Sequence, residues 1–361
     1  MNKLTGNLPG TAHGIIAIFM DYTIELRHGV IMESVRITGT NIKVSRVGIG
    51  TWAMGGWMWG GTDERASIKT ILAALESGIN LIDTAPIYGF GRAEEIVGKA
   101  LAEYKKRDKV IIATKAGLEW IDNRVWRNSS RPRILKEIDD SLKRLGTDYI
   151  DIYQIHWPDT AVPFEETAEI LMELYKQGRI RAIGVSNYST EQMDAFGKTA
   201  VLNTAQPPYN IFERTIEKDI LPYCMSNHIT TLAYGALCRG LLSNRMRPDT
   251  SFKGDDLRKV DPKFKQPRYG QYLKAVQALD ELAMKNYGKR VIHLAVRWIL
   301  DQGADIALWG ARRPEQLDPV KEIDGWSINE NTKKAIDKIL KDTIEDPVGP
   351  EFMAPPVRKR E

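Results

Sequence analysis

Short apolar runs alternate along this chain with stretches of helical period, and the alternation repeats eight times. The strand-like runs fall at residues 47–50, 80–83, 110–114, 149–155, 180–185, 201–205, 230–233 and 305–308. The first helices between them cover 66–77, followed by Gly78 in a C-cap position, and 93–104. A third helix places Leu135, Ile138, Leu142 and Leu145 on one face and closes with Lys143, Arg144 and Gly146. A fourth covers 166–176, and two more, 273–285 and 291–301, precede the last strand. Ahead of the first of these strands, residues 35–38 and 43–45 flank Gly39-Thr40-Asn41 and read as a hairpin.

Strands alternating with helices imply a parallel sheet covered on both faces. Eight such units favour closure, so the expected fold class is α/β: a (β/α)8 barrel with an N-terminal β-hairpin and extra C-terminal helices. Residues 1–31 mix Gly, Pro and apolar residues without a period and read as an extension, disordered or preceding the true start. The barrel is expected over 32–345. Residues 346–361, with Pro347, Pro350, Pro355 and Pro356, read as an extended tail. The long charged segment 238–264 reads as a functional loop such as a lid.

Composition narrows the function classes. The 361 residues suit one large core, and 43% apolar with 27% charged is ordinary for a globular protein. The net charge of +4 is scattered, which argues against nucleic acid as a partner. Two cysteines exclude a disulfide scaffold, and five histidines form no metal-ligand pattern. No run reaches the roughly 20 apolar residues of a membrane span. The expectation is a cytoplasmic protein, monomeric or weakly homo-oligomeric, without metal.

The strand ends carry the candidate chemistry, which in parallel barrels gathers at the C-terminal ends of the strands. Asp83 closes Asn80-Leu81-Ile82-Asp83, and Tyr88 follows five residues later. Lys115 closes the third run and His156 the fourth. The fifth ends in Ser186-Asn187, the sixth in Gln206 and the seventh in Tyr234-Gly235. The eighth is followed by Gly310-Ala311-Arg312-Arg313. No Gly-rich dinucleotide fingerprint is present: Gly48-Ile49-Gly50-Thr51-Trp52-Ala53 lacks the third glycine.

The segments Leu81-Ile82-Asp83-Thr84-Ala85-Pro86-Ile87-Tyr88-Gly89, Ile112-Ala113-Thr114-Lys115, Arg181-Ala182-Ile183-Gly184-Val185-Ser186-Asn187 and Gly310-Ala311-Arg312-Arg313-Pro314-Glu315-Gln316-Leu317 resemble the aldo-keto reductase family. The resemblance spans about residues 32–345, with the motifs in family order. The ending Asp346-Pro347-Val348-Gly349-Pro350-Glu351-Phe352-Met353 resembles the bacterial subgroup found with inositol catabolism and general stress.

The resemblance implies hydride transfer between NADPH and a small carbonyl substrate, an aldehyde or some ketones. Tyr88 would be the general acid, its phenol pKa lowered by the charge of Lys115, with Asp83 holding Lys115. His156 would orient the carbonyl and donate to the developing oxyanion. Ser186, Asn187 and Gln206 match the residues that hold the nicotinamide carboxamide, and Tyr234 the ring that stacks on it. Gly235, Leu237, Arg239 and Gly240 would run beside the pyrophosphate. Gly310, Arg312, Arg313 and Gln316 lie where the family grips the 2′-phosphate, with Gly310-Ala311 standing where many members have Lys-Ser. Arginine's planar fork favours NADPH there. Trp52, Trp57, Trp59, Trp120 and Trp157 follow catalytic-face strands and are expected to line an aromatic substrate pocket. Two other readings use the same fold: a cofactor-sensing regulatory subunit of potassium channels, and a barrel lyase using Lys115 as a Schiff base.

Overall fold

The structure, a computed structural model, describes residues 23–27 and 30–358. In chain order its strands are β1 (Thr23–Arg27), β2 (Val30–Arg36), β3 (Lys43–Ser45), β4 (Val47–Gly50), β5 (Leu81–Asp83), β6 (Ile111–Ala116), β7 (Leu118–Ile121), β8 (Arg124–Arg127), β9 (Ile152–Ile155), β10 (Ile183–Ser186), β11 (Thr204–Gln206), β12 (Thr230–Ala233) and β13 (Ile306–Gly310). Strands β4, β5, β6, β9, β10, β11, β12 and β13 close into a barrel, each parallel to its neighbours, with β13 returning to β4. The expected (β/α)8 barrel forms. Its register sets Asp83 beside Gly50 and Ala113, Lys115 beside Gln154, and Ser186 beside Gln206.

The helices form where period and caps agree. Glu64–Glu76 starts on Asp63, whose side chain accepts from the Ala66 amide. Arg131–Leu145 ends at Gly146, whose φ of 63° is the left-handed cap that glycine adopts without penalty. Its buried face includes Ile134, Ile138 and Leu145 but also Glu137 and Ser141. Glu137 is satisfied there, accepting from the Gly117 amide at 2.7 Å and pairing with Arg133 at 3.1 Å.

The N-terminal end of the barrel is plugged by an antiparallel sheet in the order β1–β2–β3. Val35, Ile37, Ile42 and Val44 pack there against Leu81, Ile111, Ile152, Leu232 and Ile306. Glu33 ties this sheet to the barrel through Arg46 at 3.0 Å and Arg297 at 2.8 Å. The sheet therefore begins at Thr23, inside the segment expected to be an extension, and residues 1–22 lie outside the described residues.

Other expectations shift. The sixth barrel strand is Thr204–Gln206 rather than 201–205. Val201 is exposed, and Asn203 turns its side chain to accept from the Ile183 amide and donate to the Thr38 carbonyl. A β7–β8 hairpin follows the third barrel strand. The tail is not merely extended. It forms a short turn at Glu351–Met353, and Val357 bridges to Arg127, whose Nε donates to the Pro355 carbonyl at 2.8 Å.

Candidate active site

The C-terminal ends of β5, β6 and β9 bring four expected side chains together. Lys115 Nζ donates to Asp83 Oδ1 at 2.8 Å and Oδ2 at 3.0 Å, to the Thr84 carbonyl at 2.9 Å, and to Tyr88 Oη at 3.3 Å. Lys115 is fully buried and Asp83 nearly so. Burying such a pair costs several kcal/mol of hydration per ion, so removing one partner strands the other. The Tyr88 ring stacks on Trp52 at 6.0 Å and meets the edge of His156 at 5.7 Å. Its backbone packs against Gly55, where a Cβ would lie 2.5 Å from the Tyr88 carbonyl oxygen. Glycine at 55 is thus what lets the tyrosine turn sit against the short helix Trp52–Gly55.

Electrostatics departs from one expectation. The Tyr88 phenol is held well above its ordinary pKa, first by burial and then by the charge of Asp83. The Lys115 ammonium, paired with Asp83 and itself depressed by burial, leaves the net shift of the resting phenol upward. Tyr88 is thus a firmly protonated donor across the neutral range. Burial, reinforced by the Lys115 charge, pulls His156 well below its ordinary value. His156 is neutral at pH 7 and donates from a single ring N–H.

The ends of β10, β11 and β12 form a connected polar floor. Ser186 Oγ donates to the Gln206 carbonyl at 2.8 Å. Asn187 Nδ2 donates to the His156 carbonyl and to Ser186 Oγ, both at 3.0 Å. Asn187 Oδ1 accepts from the Tyr234 hydroxyl at 2.9 Å, which fixes that ring. Gln206 Nε2 donates to Asp83 Oδ2 at 2.8 Å.

Two concavities open on this floor and share Trp52, Tyr88, Tyr234 and Met353. One is a largely apolar cavity of about 260 Å³. Trp52, Trp57 and Trp157 line it as expected, with Met58, Leu118 and Val125, and Ser186, Asn187 and Gln206 face it. The other is a groove of about 210 Å³ that runs past Gly235, Leu237, Arg239 and Gly240 to Gly310, Arg312 and Gln316. Gln316 Oε1 accepts from the Arg312 and Arg313 amides and so shapes that loop. Across the groove, the loop after β4 is tied to the 238–264 segment. Asp255 accepts from the Met58 amide at 2.8 Å and the Gly60 amide at 3.0 Å, and Leu257 N donates to the Met58 carbonyl.

Several expected residues sit elsewhere. Trp59 lines the groove rather than the cavity. Trp120 lines neither, and lies between Phe90 and the Arg133 guanidinium behind the hairpin. Arg313 turns outward to Glu315 at the surface. The Arg239 guanidinium is buried against Glu213 and, at 2.5 Å, Asp261, so only its backbone and neighbours face the groove. Reasoning from sequence missed Met353 and Pro355 of the tail, which close one side of the cavity, and Arg258, which lines the groove beside Trp59. Proline content drew attention to the tail but carried no signal of where it docks.

The Aldo/keto reductase family model matches residues 46–341. The chain is 63% identical over 329 residues to the aldo-keto reductase YhdN of Bacillus subtilis, covering 91% of this chain and 99% of that protein. It is 37% identical to the NADH-specific methylglyoxal reductase of Escherichia coli, covering 79% and 91%. Among solved structures it is similar to the glycerol dehydrogenase AKR11B4 of Gluconobacter oxydans, with 55% identity, TM-score 0.81, and 89% and 99% of the two chains covered.

Proposed function

Because this chain belongs to the aldo-keto reductase family and is an oxidoreductase that reduces carbonyl compounds, we propose that it reduces aldehydes and some ketones with NADPH, using Tyr88 as proton donor. The observation that carries this reading is the buried Lys115 contact with both Asp83 and Tyr88, the tyrosine lining cavity and groove alike. The residues present suit a dinucleotide. The groove offers an aromatic face at Tyr234 and a cationic group at Arg312, with the apolar cavity at its aromatic end. When bound, the reduced cofactor supplies the hydride.

The protein's own groups do the rest. A substrate carbonyl enters the cavity between Trp52, Trp57 and Trp157, which exclude water. Tyr88 Oη donates its proton to the carbonyl oxygen as negative charge develops there. Lys115, 3.3 Å from that hydroxyl, stabilises the phenolate left behind, and Asp83 keeps the ammonium in place. Neutral His156, at the edge of the Tyr88 ring, donates a second hydrogen bond to the same oxygen. Arg312 favours NADPH by meeting the 2′-phosphate, and its Nη1 bond to the Trp59 carbonyl at 3.1 Å already orients it. With Gly310-Ala311 in this loop and an NADH-specific relative, that preference rests on Arg312, because the Arg258 guanidinium is already paired with Asp256 at 2.6 Å.

The test is consumption of NADPH, with NADH in parallel, on a panel of aromatic and aliphatic aldehydes. Rapid oxidation of NADPH and slow oxidation of NADH is the expected result. Tight NADPH binding without turnover on any carbonyl would overturn the reading.

A further inference from the structure

We propose that Gln206 is a positioning residue that couples occupancy of the nicotinamide site to the Asp83–Lys115 pair. The inference rests on the reductase reading above. A carboxylate only accepts hydrogen bonds, so the amide group facing Asp83 Oδ2 at 2.8 Å must be the NH2 of Gln206. That choice fixes the other end: Gln206 presents Oε1, an acceptor, toward the cavity it lines. A bound carboxamide therefore meets Gln206 through its own N–H. One side chain then touches the ligand with one atom and the carboxylate behind Lys115 with the other.

The neighbouring side chains leave Gln206 the bridging role. Both Asn187 Nδ2 hydrogens are committed to protein acceptors, and Asn187 Oδ1 is held by Tyr234. Ser186 Oγ donates to the Gln206 carbonyl, clamping its backbone rather than its amide. The charged and titratable groups around the pair come from several elements. Lys115 and Tyr88 face Asp83 directly, Glu94 of the helix Arg92–Tyr104 acts on Lys115 from behind, and His156 and Tyr234 flank Tyr88. Gln206 is the neutral member that draws off part of the Asp83 charge. Without its donor, Asp83 faces Tyr88 less compensated and pulls Lys115 toward itself.

The test uses Gln206→Met, which keeps the length and apolar volume but has no donor, and Gln206→Glu, which regains a donor only when protonated. Cofactor affinity is read by fluorescence titration of the unreacted protein, and kcat is read across pH with one aldehyde. Gln206→Met is expected to lose about 10- to 100-fold in kcat, as expected for a hydrogen bond to a charged group, with the aldehyde KM little changed. Its high-pH fall in reduction should move upward, because the phenol beside a less compensated carboxylate holds its proton more tightly. Gln206→Glu should acquire an added ionisation, active below it and impaired above it. Weakened cofactor binding with an unmoved pH profile in Gln206→Met, or no added ionisation in Gln206→Glu, would overturn the coupling while leaving the reductase reading intact. Absence of turnover in the unsubstituted protein would remove both.

Discussion

Replacing Tyr88 by phenylalanine removes one oxygen atom and leaves the packing of the site in place. The ring keeps its stack on Trp52 and its edge contact with His156. Lys115 loses its longest hydrogen bond, at 3.3 Å, and keeps two contacts to Asp83 and one to the Thr84 carbonyl. A hydrogen bond from a charged donor is worth about 1.5–3 kcal/mol, and this one is long, so the melting temperature should fall by only a few degrees. Chemistry should suffer far more, because no other protonated hydroxyl within the Lys115 cluster can replace the donor. Loss of a general acid costs about 10²- to 10⁴-fold, or roughly 3–5 kcal/mol on the barrier. The assay is kcat for an aromatic aldehyde at saturating NADPH, with NADPH affinity measured separately by fluorescence. The expected pattern is a collapsed kcat with unchanged cofactor affinity. A variant that retains kcat within tenfold, or that loses affinity in parallel, would refute Tyr88 as the acid.

Arg312→Ala should weaken NADPH by about 10- to 100-fold, the worth of one or two charge-assisted bonds, and NADH by only a few-fold through the loosened Trp59–Gly61 loop. Equal losses for both cofactors, measured by titration, would refute a phosphate contact. Glu137, buried beneath β6, has its carboxyl pushed up to about 7 by burial. Its folded value exceeds the unfolded one, so the folded state holds the extra proton and stability falls as pH rises from about 4.5 to about 7. The upper limit of that loss is about 3 kcal/mol. Glu137→Gln should flatten the melting profile over this window, and an unchanged slope would show that Arg133 and the Gly117 amide already compensate the charge.

The architecture was legible because the barrel imposes a strict local rhythm. Each core strand is a short apolar run, and each catalytic-face run ends where polarity begins, at Asp83, Lys115, His156, Ser186 and Gln206. Position along the chain could therefore stand in for position on the barrel rim. The rule failed where polarity and strand end come apart. Val201 and Leu202 look like a strand but lie before it, because Asn203 spends its side chain on β10. Side-chain direction was also hidden. Arg239 carries the charge expected of a phosphate contact, yet its guanidinium answers Glu213 and Asp261, partners from distant segments. Trp120 shares a loop with cavity residues but points behind the hairpin. Met353 and Pro355 lie far along the chain from the residues they meet at Tyr88 and His156. Such closures are set by tertiary docking, here through Arg127, and leave no period in the sequence.

The tie between Asp255 and the Met58 and Gly60 amides has a kinetic consequence. It joins the loop that carries Trp59 to the segment that carries Arg258, both of which line the groove, so a dinucleotide seated there would be released more slowly while that bridge holds. Reopening belongs to every catalytic cycle in which the spent dinucleotide is exchanged, and residence time then competes with bond-making for control of the overall rate. An isotope of hydrogen at the transferred position would be felt fully in a single turnover and be muted in the steady state. The loop that shelters the reaction from water would also set its pace.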